Sequence, residues 1–81
     1  MKTNYFIGQS VVLAVNPNPV EVVYIIRDIQ VYVEYTAVKA IAELEVARDY
    51  DLPDGGKITP GNRREENVLQ LKPWLSQQDL V

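Results

Sequence analysis

Nucleophilic or acid–base catalysis near neutral pH needs an activatable side chain, and this sequence offers few. It contains no Cys and no His. No thiolate can act as nucleophile or ligand, and the one side chain that ordinarily titrates near pH 7 is missing, together with the commonest metal ligand. Ser10 and Ser76 have no base beside them in the sequence, so neither hydroxyl has an evident activator. A pair of carboxylates remains possible in principle. However, a chain of 81 residues has little room for a pocket deep enough to shift a pKa. The expectation is a protein that is not an enzyme and carries no cofactor or metal. Glu34, Glu43 and Glu45 on neighbouring strands could hold a divalent cation, since opposed residues sit about 5 Å apart. No Asp-rich loop with alternating ligand spacing supports that role, and the three read as a solvated acidic face.

Binding chemistry is better represented. The aromatics are Tyr5, Phe6, Tyr24, Tyr32, Tyr35, Tyr50 and Trp74. Exposed Tyr and Trp are common anchors of interfaces, and an aromatic patch on an acidic background suits a cationic or Pro-rich peptide. Tyr24, Tyr32, Glu34 and Trp74 are the candidate binding residues. For each aromatic a structural role competes: Tyr24 and Tyr32 could pair across strands only to stabilise a hairpin, and Trp74 could close one end of the core over Tyr5 or Leu13. The mixed run Arg63-Arg64-Glu65-Glu66 reads as a solvated turn held by local ion pairs.

The elements that must position these residues follow from the spacing of apolar side chains. Short runs rich in Val, Ile and Tyr favour strands. Residues 9–15 form a first strand, ended by the loop Asn16-Pro17-Asn18-Pro19. Residues 20–26 form a second and 31–35 a third, joined by a turn at Asp28-Ile29-Gln30. Val31, Val33 and Tyr35 then face the core and Tyr32 and Glu34 face away. Residues 36–52 contain good helix formers, but Ala42, Leu44 and Val46 keep period two with Glu43 and Glu45 opposite, which predicts a fourth strand over 41–47. The turn before it, Thr36-Ala37-Val38-Lys39, lacks the Gly or Asn of tight hairpins. Residues 53–62, dense in Gly, Pro and Asn, read as a mobile surface loop. Residues 63–68 read as one helical turn, and Leu69-Gln70-Leu71 as a short fifth strand. The predicted organisation is one domain over 1–75 and a flexible tail over 76–81.

Charge narrows the partners. Eight basic residues against eleven acidic ones leave a net charge of −3, and the basic residues are scattered, so the footprint of a phosphate-binding surface is missing. No run reaches the ~20 apolar residues of a membrane span, and residues 1–9 do not read as a secretory leader. The expected setting is the cytoplasm, without a membrane.

Two segments resemble small SH3-like barrels of the Tudor and KOW sort. The opening Tyr5-Phe6-Ile7-Gly8-Gln9-Ser10-Val11-Val12-Leu13 is similar to the family's aromatic-x-apolar-Gly-polar-polar-apolar start. Glu65-Glu66-Asn67-Val68-Leu69-Gln70-Leu71-Lys72-Pro73 is similar to its closing turn and final strand. The resemblance covers about a quarter of the chain. It implies an all-β fold, a small SH3-like barrel of about five short antiparallel strands with a long Gly/Pro loop before the last. It also implies two functions: a non-catalytic protein-interaction module or small accessory subunit, or a KOW-like nucleic-acid-binding barrel, which the acidic balance disfavours. The expected partner is another protein or peptide, and the chain is expected to be a monomer or weak homodimer, because an exposed strand edge can pair with its own copy.

Overall fold

A computed structural model describes residues 5–74. They form β1 (Ser10–Leu13), β2 (Tyr24–Val33), β3 (Val38–Val46), β4 (Tyr50–Asp51), β5 (Lys57–Ile58), β6 (Arg63–Asn67) and β7 (Leu71–Pro73), with a single 3₁₀ turn, Val68–Gln70, before β7. The protein is all-β, as expected. Five strands make an antiparallel sheet in the order β6-β3-β2-β1-β7, and β4 and β5 make a separate small ribbon. The sheet does not close into a barrel, because β6 and β7 remain its two edges. The predicted tail over 76–81 lies outside the described residues.

Glycine is required at the entry to the sheet. Gly8 has φ of 94°, a region that a Cβ disfavours. That bend lets the Gly8 N–H donate to the Ile26 carbonyl at 2.7 Å while the Ile26 N–H donates back to the Gln9 carbonyl at 3.0 Å. β1 thereby starts in register on β2, Val11 opposite Tyr24. Its other edge takes β7, with Leu13 opposite Leu71 and Val11 opposite Pro73. Proline is tolerated there because β7 is an edge strand.

β2 corrects the sequence reading most. The expected hairpin within residues 20–35 does not exist, and Asp28-Ile29-Gln30 is not a turn. The second and third runs are one ten-residue strand, interrupted by a bulge. Ile26 pairs with Leu44 and Asp28 with Glu43, so Arg27 is the extra residue. A bulge absorbs a polar break without reversing the chain. The Asp28 carboxylate accepts from the Ile29 N–H at 2.9 Å, and the Arg27 guanidinium reaches Glu45 at 3.0 Å. Residues 20–23 precede the strand outside the ladder.

The true hairpin joins β2 to β3. The Glu34 N–H donates to the Ala37 carbonyl at 2.7 Å and the Ala37 N–H to Glu34 at 3.3 Å. That closes a two-residue loop, Tyr35-Thr36, without any left-handed residue. β3 then alternates as predicted, with Ala40, Ala42, Leu44 and Val46 buried and the residues between them turned outward. Residues 63–68 are mostly strand, not a helical turn: Arg63–Asn67 pairs with β3 from Glu45 to Ile41. Its charges suit a sheet edge, where they discourage further pairing. On the outer face Arg63 bridges Glu43 at 2.8 Å and Glu45 at 3.5 Å. The Asn67 side chain caps the 3₁₀ turn by accepting from the Leu69 N–H at 2.9 Å. Loop 53–62 carries β5, and Gly55 within it takes a left-handed conformation, φ 89°.

The core lies on one face of the sheet. Ile26, Leu44 and Val11 are its largest fully buried side chains, joined by Leu13, Val22, Tyr24, Ala40, Ala42, Val46, Val68 and Leu71. No polar or charged residue among those described is buried, so stability rests on apolar burial and the backbone ladder. The far half of the β2–β3 hairpin extends beyond this core as an arm. β1 reaches only Tyr24 and Ile25 of β2, and β6 only Ile41 to Glu45 of β3. Val31 and Val33, expected in the core, are 58% and 80% exposed, and Tyr35 is fully exposed. Val31 and Val33 share the core face, but among the described residues nothing lies over them, because neither flanking strand continues that far.

Candidate functional site

The bulge decides which side chains meet on the outer face. Beyond Arg27 the outward positions of β2 are Asp28, Gln30 and Tyr32, paired in register with Glu43, Ile41 and Lys39. β6 continues the rows, with Glu65 opposite Glu43 and Asn67 opposite Ile41. Three carboxylates, Asp28, Glu43 and Glu65, therefore stand side by side across three strands. Like charges in direct opposition destabilise a sheet. Of the three, Arg63 offsets only Glu43, and Glu65 has no ion pair among the described residues.

Beside this row lies an open groove of about 540 Å³ between the arm and the β6 edge, lined by Tyr32, Glu34, Lys39, Ile41, Glu65, Glu66, Asn67 and Gln70. Lys39 binds Glu34 at 2.8 Å, and its ammonium lies 5.9 Å from the centre of the Tyr32 ring. The hydrogen bond to Glu34, and then the charge of that carboxylate, raise the Lys39 pKa above its ordinary value. The Tyr32 hydroxyl donates to the Gln30 side chain, which holds the ring along the arm. Tyr32 remains 43% exposed, with the Lys39 ammonium already near its ring.

The four predicted binding residues divide. Tyr32 and Glu34 come together in the groove. Tyr24 does not: it is 5% exposed, in the core opposite Val11 and Val46. It cannot pair with Tyr32 across strands, because both lie on β2. Trp74 is also elsewhere. Its backbone N–H donates to the Ser10 carbonyl at 3.0 Å, and its half-buried indole lies 5.6 Å from the Arg48 guanidinium, which also approaches the Tyr50 ring at 5.7 Å. This stack serves the junction of β1, β7 and the turn after β3. The Tyr50 hydroxyl accepts from the Val23 N–H at 2.8 Å and helps fasten the segment before β2.

The predicted carboxylate set is regrouped as well. Glu43 and Glu45 share β3 and are held by Arg63 and Arg27, while Glu34 sits at the arm's tip with Lys39. Asp28 and Glu65 replace them beside Glu43 and were not singled out from the sequence. Only the strand register reveals that row, since the three residues are far apart in the chain. Among the described residues no group of His, Cys, Asp or Glu has a metal-holding arrangement, and no helix is long and apolar enough to cross a membrane. Comparison of the chain with family models, curated proteins and solved structures finds no match.

Proposed function

We propose that the chain is a non-catalytic interaction module with an SH3-like architecture, and that the outer face of β2, β3 and β6 binds a basic segment of a partner protein. The observation that carries this reading is the carboxylate row Asp28–Glu43–Glu65, opposed in register and opening into a groove floored by Ile41 and flanked by Tyr32. A like-charged row that weakens the free sheet is relieved when a Lys or Arg side chain docks between its members. The part-exposed Tyr32 ring, already approached by Lys39, adds an aromatic contact beside the row. The architectural part is supported by a separate observation: the opening and closing segments that resemble SH3-like barrels lie together as the paired strands β1 and β7.

The test is an amide-resolved NMR titration with a short Lys/Arg peptide at low salt, with an acidic peptide of equal length as control. Shifts should concentrate at Tyr32, Ile41, Glu65 and Asn67, weaken as salt rises, and vanish in Glu65→Lys. Absence of any shift with the basic peptide at roughly millimolar concentration, where a Kd of ~1 mM would register, refutes the reading. Salt-sensitive shifts with RNA instead would transfer it to the KOW-like alternative.

A further inference from the structure

The arm has a second face, opposite the groove. Val31, Val33 and Val38 lie on it, 58%, 80% and 40% exposed, as a direct continuation of the row Ala40–Ala42 that is fully buried. Tyr35, wholly exposed, stands at its end. Val33 and Val38 are direct cross-strand partners, so the stripe is continuous over both strands. A two-stranded ribbon without cover on an apolar face is marginal in water, and among the described residues this ribbon has no third strand on either side beyond Asp28 and Ile41.

We propose that this stripe is an interface between two copies of the chain, packed arm against arm about a twofold axis. Three features select a second copy. The stripe carries no charge, and the nearest charges, Glu34 and Lys39, neutralise each other at 2.8 Å, so no charged partner is called for. A twofold contact sets Val31, Val33 and Val38 against themselves, and an apolar stripe is complementary to itself. The area also fits. The three valines and Tyr35 expose on the order of 500 Å² per chain, so that mating two arms buries at most about 1,000 Å², the lower limit of a specific interface. The dimer is accordingly weak and concentration-dependent, and it leaves the acidic outer groove open on both copies. It does not depend on the cation-binding reading.

The test is the molar mass by light scattering or sedimentation over roughly 10 μM to 1 mM of the full chain, a range that brackets weak association. The expected mass rises from one chain to two, and the methyl resonances of Val31, Val33 and Val38 shift along the same curve. Val33→Glu stays monomeric at the top concentration with its fold intact, since the residue is exposed in one copy. Val33→Lys is likewise monomeric alone, and mixing it with Val33→Glu restores the two-chain mass. A wild-type chain that stays monomeric throughout overturns the proposal. So does a dimer unaffected by Val33→Glu, which places the contact elsewhere. Contacts of these valine methyls to residues outside β2 and β3 that persist unchanged on dilution also overturn it, because the stripe is then covered within one chain.

Discussion

Deleting Arg27 tests whether its position is a bulge within one strand. In the observed register Ile26 faces Leu44 and Asp28 faces Glu43. Removing the residue between them leaves every other pairing of β2 with β3 unchanged and every side chain on its present face. The losses are small. The Arg27–Glu45 ion pair is nearly half exposed on the Arg side, worth about 0–1 kcal/mol, and Glu45 keeps Arg63 at 3.5 Å. Some local twist also goes, because bulges sharpen it. Against this, one residue fewer must be ordered, which offsets roughly 1 kcal/mol of backbone entropy. The expected change is within about 1 kcal/mol either way. Urea unfolding followed by Trp74 fluorescence and circular dichroism measures it, and amide shifts of Ala40, Ala42 and Val31 report whether the register survives. If residues 28–30 were a turn between two strands, deletion would shorten its approach and misalign the strands. A loss above roughly 3 kcal/mol, in the range of core disruption, or wholesale shifts along β3, would refute the bulge.

Four further outcomes follow from the same geometry. Leu44→Ala should cost about 3 kcal/mol, because Leu44 is fully buried at the centre of the sheet. Val33→Ala on the arm should cost under ~0.5 kcal/mol at a concentration where the chain is monomeric, and equal costs in chemical denaturation would contradict the burial pattern. Gly8→Ala should destabilise by about 1–2 kcal/mol through backbone strain alone, since an added Cβ meets nothing within 4 Å at φ +94°; an unchanged melting temperature would show that the left-handed bend is not required. Glu65→Gln should raise stability by a few tenths of a kcal/mol by relieving the row with Glu43 while weakening binding of a basic peptide, and a loss of stability would show that the row is not repulsive.

Much of the fold was legible because its causes are local. Alternation of Ala42, Leu44 and Val46 favoured a strand over a helix, since period two is a property of the extended backbone. The Asn-Pro loop and the glycine before β1 speak through their own dihedral limits. The polar break at Arg27-Asp28 was visible too, but its meaning was not. A bulge and a turn share the same residues, and only the unbroken partner strand β3 distinguishes them. Arg63–Asn67 misled for a related reason: a charged run has no apolar period, and its strand form comes from Glu43 and Glu45 across the ladder.

The candidate site divides along the same line. Composition alone limits the chemistry, because a chain without His or Cys lacks the usual nucleophile, base and soft ligands wherever its residues fall. Residue type also marked Tyr32 and Glu34 as surface candidates. Which residues join them depended on register across three strands. Register put Asp28, Glu43 and Glu65 in one row, sent Tyr24 into the core, and carried Val31 and Val33 past the last strand that could cover them. Side-chain alternation is written in each strand separately. Its alignment with a neighbour is set by long-range hydrogen bonds and burial, and these exist only once the sheet has formed.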